Sequence, residues 1–409
     1  MKITAVECDV LIVPDFDPEY CDTAQDNVIV QIHTDGTVKG IGEVESNSWA
    51  IKALIERSGS NSLTRGLAEL LVGQDPSDPR AIWEWLYNRS IVTGRRGAGI
   101  CAIGALDMAI WDICGKAAGL PIWKLLGEAR TSPLTPYASL LPCGRTLPDY
   151  RTSLLAKAAW ARDAGFKAVK LEILIRGPFA EFELHESNDA IVELVAASRD
   201  VIGPAMTLMV DVGYCWSDWK EALQVLRRLE KYDLFFLETP LHSDDLDGYA
   251  RLAEASEVRI AAGELLQTRF EFAELMDRGQ LDVVQPDVGR VGGITEALRV
   301  AEMARDRGKL VVPHCWKSGI GIAATAHVAA VSPNCPFFEF LPAAVSESLL
   351  RRELVTEEIH LVDGTVELPT RPGLGVELNA SALAKYSVGH PSSAAGTDRC
   401  NPKVGALIA

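Results

Sequence analysis

Paired cysteines are missing from this chain. Its nine cysteines include no C-x-x-C pair, so the sequence indicates neither a zinc ribbon nor a disulfide framework. Scattered single cysteines are typical of proteins in a reduced compartment, where most serve as small core residues. We therefore expect a cytoplasmic protein.

Positive charge and long apolar runs are also scarce. Lys and Arg total 40 against 56 Asp and Glu, and the net charge of −16 argues against an electrostatic nucleic-acid binder. No uninterrupted apolar run approaches the roughly 18 residues of a membrane span, and the start, MKITAVECDVLIVP, lacks a signal-peptide core and cleavage site. With 48% hydrophobic residues, the composition is that of a globular protein with a sizeable core. We expect neither a membrane nor a nucleic acid as partner.

Short apolar segments alternate with helical patterns from about residue 134. Stretches such as WKEALQVLRRLEKY carry apolar residues at helical spacing between the apolar segments. This alternation predicts parallel βαβ units, and eight of them predict a closed α/β barrel. The predicted strands are LTPYASL, AVKLEI, MTLMVDV, LFFLE, VRIAAGE, LDVVQPD, KLVVPH and PFFEF.

The segments that flank the predicted barrel (132–345) differ from it in character. Residues 1–131 begin with strand-like runs around a polar loop and continue into a helical region, and residues 346–389 return to strand-and-loop composition. We expect these two segments to pack together as one α+β capping domain. Residues 390–409, rich in Gly, Ser and Pro, are expected to form a tail.

Three consecutive predicted strands end in an acid: Asp211, Glu238 and Glu264. The C-terminal ends of barrel strands meet at one face, where barrel enzymes build their active sites, so we expect the carboxylates to converge there. They would repel one another unless a cation lay between them. An all-oxygen ligand set favours a hard ion such as Mg²⁺. Any one of these acids alone could instead be a helix cap.

The next strands end in polar residues too. Asp287 ends LDVVQPD and His314 ends KLVVPH, so the carboxylate is placed to orient the imidazole and raise its basicity. A structural histidine is the alternative. Glu339, in PFFEFLP, is expected at the end of the eighth strand, either in the site or in a structural ion pair.

An unusual pair occurs on the second strand, in FKAVKLEIL. Lys170 and Glu172 are two positions apart, so their side chains leave the strand on the same face. The simplest interpretation is a buried ion pair.

Taken in order, these residues resemble the enolase superfamily, and within it the mandelate racemase subgroup. The shared pattern is Lys on the second strand, three acids on the third to fifth, Asp on the sixth and His on the seventh. QPDVGRVGGITEALRVAEMA and VVPHCWKSGIG resemble the subgroup's sixth- and seventh-strand motifs. GALDMAIWDICGKAAGLPIWKLLG resembles its capping-domain helix, and the similarity extends to about residue 388.

The resemblance implies a modified (β/α)₇β barrel under an α+β cap, with one Mg²⁺ per subunit held by Asp211, Glu238 and Glu264. It also implies a small carboxylate substrate, whose α-proton is removed to give an enediolate, and assembly as a homo-oligomer. The catalytic residues would be His314, Asp287, Lys170 and Glu339.

The second strand departs from the family pattern. Relatives commonly have Lys-x-Lys there, with the second lysine as a base, whereas this chain has Lys170-Leu171-Glu172. Loss of that base favours a one-sided mechanism, in which His314 takes the α-proton and then protonates a departing β-hydroxyl. We therefore predict a sugar-acid dehydratase. A cycloisomerase, epimerase or racemase is the alternative, and a non-catalytic relative is a third hypothesis.

Substrate contacts are predicted from several segments. Tyr137 and Ser139 share a face of the first strand, and Tyr214 and Trp216 follow the third. A core tyrosine is the alternative for Tyr137. Glu172 faces the same site, where it either pairs with Lys170 or acts as a base itself. His242 and Lys317 follow other strand ends. The loop at residues 14–27, with Phe16 and Tyr20, occupies the position of a lid in relatives.

Overall fold

The computed structural model describes residues 1–389 except 18, 21–22, 46 and 128–132. The predicted tail, 390–409, lies outside the described residues. Towards the N-terminus, three antiparallel strands form a sheet in the order β1-β2-β3, followed by helices. These elements are β1 (Ile3–Ile12), β2 (Asp26–Thr34), β3 (Lys39–Val44), α1 (Ser48–Glu56), α2 (Leu67–Leu71), α3 (Pro79–Arg89), α4 (Ile91–Gly94), α5 (Ala98–Ala118) and α6 (Ile122–Leu126).

Eight parallel strands then form one sheet, and each corresponds to a predicted strand. They are β4 (Pro136–Leu140), β5 (Ala168–Glu172), β6 (Thr207–Asp211), β7 (Leu234–Glu238), β8 (Ile260–Ala262), β9 (Val283–Val284), β10 (Leu310–Val311) and β11 (Phe338–Phe340). Their spatial order follows the chain, with β11 beside β4. The Glu339 N–H donates to Pro313 O at 3.3 Å and joins the two ends of the sheet. The predicted barrel is confirmed.

Helices separate the barrel strands, as the helical patterns predict. They are α7 (Leu147–Asp163), α8 (Asn188–Ile202), α9 (Trp219–Leu229), α10 (Leu246–Ala255), α11 (Thr268–Asp277), α12 (Val288–Val291), α13 (Ile294–Asp306) and α14 (Gly319–Ala330). The chain continues through α15 (Leu349–Glu353), β12 (Val355–Glu357), β13 (Leu361–Val362), β14 (Thr365–Val366), β15 (Glu377–Leu378) and α16 (Ala380–Tyr386).

Helix α5 lies between the capping sheet and the barrel. A Cβ on Gly40 or Gly42 of β3 would lie 2.0 Å from a carbonyl oxygen of α5, so only glycine permits this close packing. On its other side, Asp107 accepts hydrogen bonds from the backbone N–H and the hydroxyl of Thr295, at the start of α13. The helix therefore fixes the capping sheet against the barrel.

The same helix is long and apolar enough to cross a membrane by length and composition, but 89% of the window that passes this test is buried inside the protein. Core helices of globular domains have this character. The C-terminal segment returns to the cap, where the Val388 N–H donates to Val10 O at 2.9 Å. The exact domain boundaries proposed from the sequence stay a prediction.

Candidate active site

The three strand-end carboxylates meet at the C-terminal mouth of the barrel. Asp211 ends β6, Glu238 ends β7, and Glu264 lies two residues beyond β8. Each offers one oxygen, and these oxygens lie within 4.8 Å of one another. Three buried or half-buried carboxylate oxygens at this separation suit a hard divalent cation. The donor set therefore fits the Mg²⁺ that the sequence predicts.

A strained residue orients Asp211. Thr239 has φ of 46°, a left-handed conformation that is costly for a β-branched residue and is typical of functional sites. Its hydroxyl donates to Asp211 Oδ1, and the Gly213 N–H donates to the same oxygen at 2.9 Å. This carboxylate is fixed before any ligand binds.

Lys170 lies at the centre of the acidic cluster. Its Nζ is 2.8 Å from Glu339, 3.1 Å from Glu238, 3.3 Å from Glu172 and 3.7 Å from Asp211. Burial lowers the pKa of this lysine, but the surrounding carboxylates raise it more, so it lies well above its ordinary value. A charged Lys170 thus holds four acids together.

Glu172 faces the cavity but is already paired. Besides the contact with Lys170, its Oε1 accepts a hydrogen bond of 2.6 Å from the Ser139 hydroxyl. Its side chain is only 7% exposed. The simplest interpretation of the KLE motif, a buried ion pair, is therefore what the structure contains.

His314 and Asp287 form a dyad beyond the short strands β10 and β9. His314 Nδ1 lies 2.8 Å from Asp287 Oδ2, and the Arg290 N–H donates to Asp287 Oδ1 at 2.9 Å. With Nδ1 donating to Asp287, Nε2 is the proton-accepting nitrogen, and it lies 3.3 Å from Glu264 Oε2. The dyad and the predicted metal ligands therefore share one site.

Charges around His314 favour its protonated form. Burial lowers the pKa of the imidazole, but Glu339, Glu264 and Asp287 raise it more, to above its ordinary value. Burial raises the pKa of Glu339, yet Lys170 and His314 lower it further, to about 2. Glu339 is therefore an anion, and it lies between Lys170 and His314.

The cap contributes a carboxylate that the sequence analysis missed. Glu45, just after β3, contacts the Lys317 ammonium and lies 2.5 Å from Arg290 Nη2. Lys317 Nζ is also 3.0 Å from Asp287 Oδ2. Glu45 and Lys317 are 272 positions apart, and only the folded chain shows that they meet.

A cavity of approximately 140 Å³ opens beside the dyad and the carboxylates. Its lining combines acids and His314 with many apolar side chains. The lining residues are Leu141, Glu172, Leu174, Phe179, Asp211, Gly213, Tyr214, Glu264, Leu265, Arg290, His314 and Trp316. The sequence analysis missed most of the apolar members, because they lie on irregular loops after the strands.

Two of the predicted substrate contacts lie at the site. Tyr214 lines the cavity and donates a hydrogen bond of 2.9 Å to Glu264 Oε1. Ser139 is buried behind the lining, and its hydroxyl donates a hydrogen bond to Glu172. Both are placed to orient acids of the site.

Tyr137 and Trp216 require a correction, because neither lines the cavity. Tyr137 is fully buried with Met209 and Phe236 in the barrel interior. It shares a face with Ser139 but lies two residues, about 6.6 Å, deeper along the strand. The Trp216 indole donates to Asn188 at 2.9 Å from within the core. We assign both to packing.

The predicted lid contacts the barrel mouth through Tyr20 rather than Phe16. The Tyr20 ring stacks on Phe182, with centroids 5.7 Å apart, and packs with Leu141 and Trp316 of the cavity wall. Phe16 is 48% exposed. His242 is mostly exposed and pairs with Asp244 instead of lining the cavity.

Comparison with known families agrees with this geometry. Residues 153–382 match the family described as "Enolase C-terminal domain-like". Residues 21–127 match the "Mandelate racemase / muconate lactonizing enzyme, N-terminal domain". The chain belongs to the mandelate racemase / muconate lactonizing enzyme family of the enolase superfamily, and it is an enzyme.

Characterised relatives are similar over almost their whole length. The chain is 32% identical to arabinonate dehydratase of Saccharolobus solfataricus, over 88% of this chain and 90% of that one. It is 30% identical to D-galactarolactone cycloisomerase of Agrobacterium fabrum and 31% identical to D-galactonate dehydratase of Xanthomonas campestris pv. campestris. Each of these alignments covers 89% of this chain and 92% of the relative.

Solved structures show the same fold. The 3,6-anhydro-D-galactonate cycloisomerase of Zobellia galactanivorans superposes with a TM-score of 0.81 and 30% identity, covering 95% of this chain and all of that one. A racemase of Streptomyces coelicolor A3(2) with bound magnesium superposes with a TM-score of 0.79 and 27% identity, covering 94% of this chain and all of that one.

Proposed function

We propose that this enzyme dehydrates a sugar acid, an aldonic or aldaric acid, to a 2-keto acid. Named relatives include two sugar-acid dehydratases. The observation that carries the proposal is the asymmetry of the site. On one side of the cavity, His314 presents Nε2 and is fixed by Asp287. On the other side, Glu172 is engaged by Lys170 and Ser139.

Mg²⁺ would be held by Asp211, Glu238 and Glu264, and when bound it would supply positive charge to the substrate carboxylate as negative charge develops there. The protein residues account for the proton movements. His314 Nε2 takes the α-proton, and Asp287 stabilises the resulting imidazolium through Nδ1. The same Nε2–H then protonates the departing β-hydroxyl on the same face. The enol product becomes a 2-keto acid by tautomerisation.

Lys170 and Glu339 support this step without exchanging protons in it. Lys170 offsets the charge of Glu172, Glu238 and Glu339, because its ammonium lies within 3.3 Å of all three. Glu339 accepts a 2.6 Å hydrogen bond from the Cys315 N–H, which fixes the loop that carries His314.

The assay for this proposal is 2-keto acid formation from a panel of sugar acids. Formation of a 2-keto acid from at least one member in the presence of Mg²⁺ is the expected result. If no acid yields a 2-keto acid but α-protons exchange with D₂O, as NMR would show, the enzyme forms an enediolate and eliminates no water.

A cycloisomerase is the second candidate. Two similar proteins carry that activity in their names, and the reaction also begins with an enediolate. Ring opening or closure without loss of water, followed by NMR, would distinguish it from dehydration. The hypothesis of a non-catalytic relative is not supported, because Asp211, Glu238, Glu264, Asp287 and His314 are all present in one site.

We also propose that the enzyme assembles as a homo-oligomer in the cytoplasm. The support is the resemblance to relatives and the scattered cysteines of the sequence, which include no C-x-x-C pair. Sedimentation velocity at micromolar concentration would test the assembly, since a single species of 44.3 kDa would contradict it.

A further inference from the structure

The two ends of the cavity differ in chemistry. The inner end holds His314 and the carboxylates. The outer end is formed by residues that lie farther along the chain beyond the strands, including Leu174, Phe179 and Leu265. Phe179 and Leu265 are 44% and 40% exposed, which places them at the opening. A substrate whose carboxylate binds at the inner end would therefore direct its far end towards an apolar wall.

No unpaired cation lines this outer wall among the residues that the structure describes. Arg290 is the only lysine or arginine in the lining, and it lies at the inner end, where its backbone N–H donates to Asp287. Glu45 already binds its guanidinium at 2.5 Å. The positive charge of Arg290 is therefore already paired with Glu45 of the cap, close to the dyad.

Cations near the mouth are also paired with acids. Arg145 contacts both Asp17 and Glu19, and Arg176 lies 3.0 Å from Glu221. Neither is among the residues that line the cavity. A second carboxylate at the far end of a substrate would have to compete with these acids.

The lid supplies no cation to this wall. Residues 14–27, PDFDPEYCDTAQDN, contain five acids and no Lys, Arg or His. The segment contacts the barrel mouth, where the Phe182 N–H donates to Glu19 O at 3.1 Å and Tyr20 packs on Leu141. An anionic far end would thus lie against an apolar wall, with no cation supplied by the lid. Burial of an unpaired charge opposes that arrangement.

We propose that the site accepts monocarboxylic aldonic acids, whose far end is an uncharged hydroxymethyl group, and rejects the dicarboxylic aldaric acids. This inference rests on the proposed function, because it assumes a sugar acid whose reacting carboxylate binds beside His314. It narrows the substrate class and assigns specificity to Leu174 and its neighbours on the outer wall.

Matched pairs of acids test the inference directly. For each aldonic acid that the Mg²⁺-loaded enzyme dehydrates, kcat/KM is measured against the aldaric acid of the same configuration, which differs only at the far carbon. We expect the aldonic acid to be favoured by about 100-fold or more, because burial of a carboxylate without a partner is costly. Equal rates, or a preference for the aldaric acid, would overturn the inference.

A variant that introduces a positive charge into the outer wall provides a second test. Leu174→Arg places a cation on the outer wall and should lower the aldonic-to-aldaric ratio by about tenfold. Leu174→Met, which keeps a similar volume without charge, should leave the ratio unchanged. If both variants shift the ratio equally, shape rather than charge sets the preference, and the inference is wrong.

A binding measurement tests this inference independently of the dehydratase proposal. If neither acid of any pair is dehydrated, the shift in Tm on adding each acid with Mg²⁺ is measured instead. Stabilisation by aldonic acids alone would support the proposed selectivity for uncharged far ends and would contradict the dehydratase proposal. Stabilisation by both acids equally, or by neither, would overturn the inference.

Discussion

Glu172 Oε1 lies 3.3 Å from Lys170 Nζ, inside a barrel strand where both side chains are almost fully buried. The family resemblance implies a second lysine in place of this glutamate. The contact shows why the replacement is compatible with the site. Lys170 has four acids around it, and Glu172 is also held by Ser139. An ion pair has taken the place where a second base would act.

Replacement of Glu172 by Gln should cause a moderate loss of activity. The amide keeps the hydrogen bond from Ser139 and removes one of the charges that Lys170 offsets, so we expect kcat to fall by about tenfold or less. General acid–base residues contribute about 10²- to 10⁴-fold. A loss of kcat in that larger range would make Glu172 a catalytic base and would reopen a two-base mechanism.

Replacement of His314 by Asn should reduce kcat by about 10²-fold or more, because it removes the proton acceptor of the reaction. Asn cannot take the α-proton but is close to His in size, so the fold should persist. Stabilisation by Mg²⁺ should be retained, since His314 is not one of the three clustered acids. Unchanged turnover would contradict the dyad assignment.

Addition of Mg²⁺ should raise Tm, because a ligand that binds only the folded state stabilises it by mass action. At a concentration 100 times Kd the gain is about 2.7 kcal/mol. Glu238→Gln should abolish the shift. Glu172→Gln is the matched control, since it neutralises a neighbouring buried acid outside the predicted ligand set. Loss of the shift in the control alone would refute the ligand assignment.

Lys317→Met should destabilise the protein strongly. The change leaves Glu45 and Asp287, both buried, without the ammonium that lies between them. Removal of one partner of a buried ion pair costs about 3–5 kcal/mol. Burial lowers the pKa of Lys317 to about 7, so denaturant unfolding at about pH 6, where the ammonium is present, measures the loss. The double variant Glu45→Gln/Lys317→Met should recover part of it, and strictly additive losses would show that the two residues do not interact.

The buried His327 should make the stability of the protein depend on pH. Its Nε2 lies 3.1 Å from Leu374 O, and its Nδ1 accepts from the Trp123 N–H at 3.3 Å. A proton on Nδ1 would face that N–H. Burial lowers the pKa of His327 to about 4 from 6.5. The folded state therefore binds fewer protons than the unfolded state between these values, and stability falls as the pH falls from 6.5 towards 4.

Between pH 7 and pH 5 this histidine should account for about 2 kcal/mol of lost stability. Urea unfolding of the wild type and of His327→Gln at both pH values isolates the contribution. Asp107 has the opposite effect on the pH dependence of stability, because burial raises its pKa to about 7. It is present in both proteins, so its effect cancels in the comparison. An identical pH dependence in the two proteins would contradict the prediction.

The barrel and the acids at its mouth could be predicted from the sequence, because the parallel strands of a βα repeat all end at the same face of the sheet. Asp211 and Glu238 end strands β6 and β7 in register, and one alternation of strand and helix separates them. Asp287 and His314 were also identified from strand ends, although each lies three residues beyond its strand. The βα repeat therefore supplied both the fold and most of the reacting groups.

Residues from loops and from the cap were not predictable in this way. Glu45 meets Lys317 across the interface between cap and barrel, and no local pattern connects two such distant positions. Leu174 and Leu265 reach the cavity through irregular backbone. The sequence could not decide whether Tyr137 contacts the substrate or the core, because alternation along a strand gives the face of a side chain but not its depth in the barrel.

The most direct test of the account is 2-keto acid formation from a panel of aldonic and aldaric acids, measured with Mg²⁺, with EDTA, and with His314→Asn. The account predicts a product from at least one acid that requires the metal and is lost in the variant. Product that persists in EDTA or in His314→Asn would contradict the account, as would α-proton exchange without loss of water.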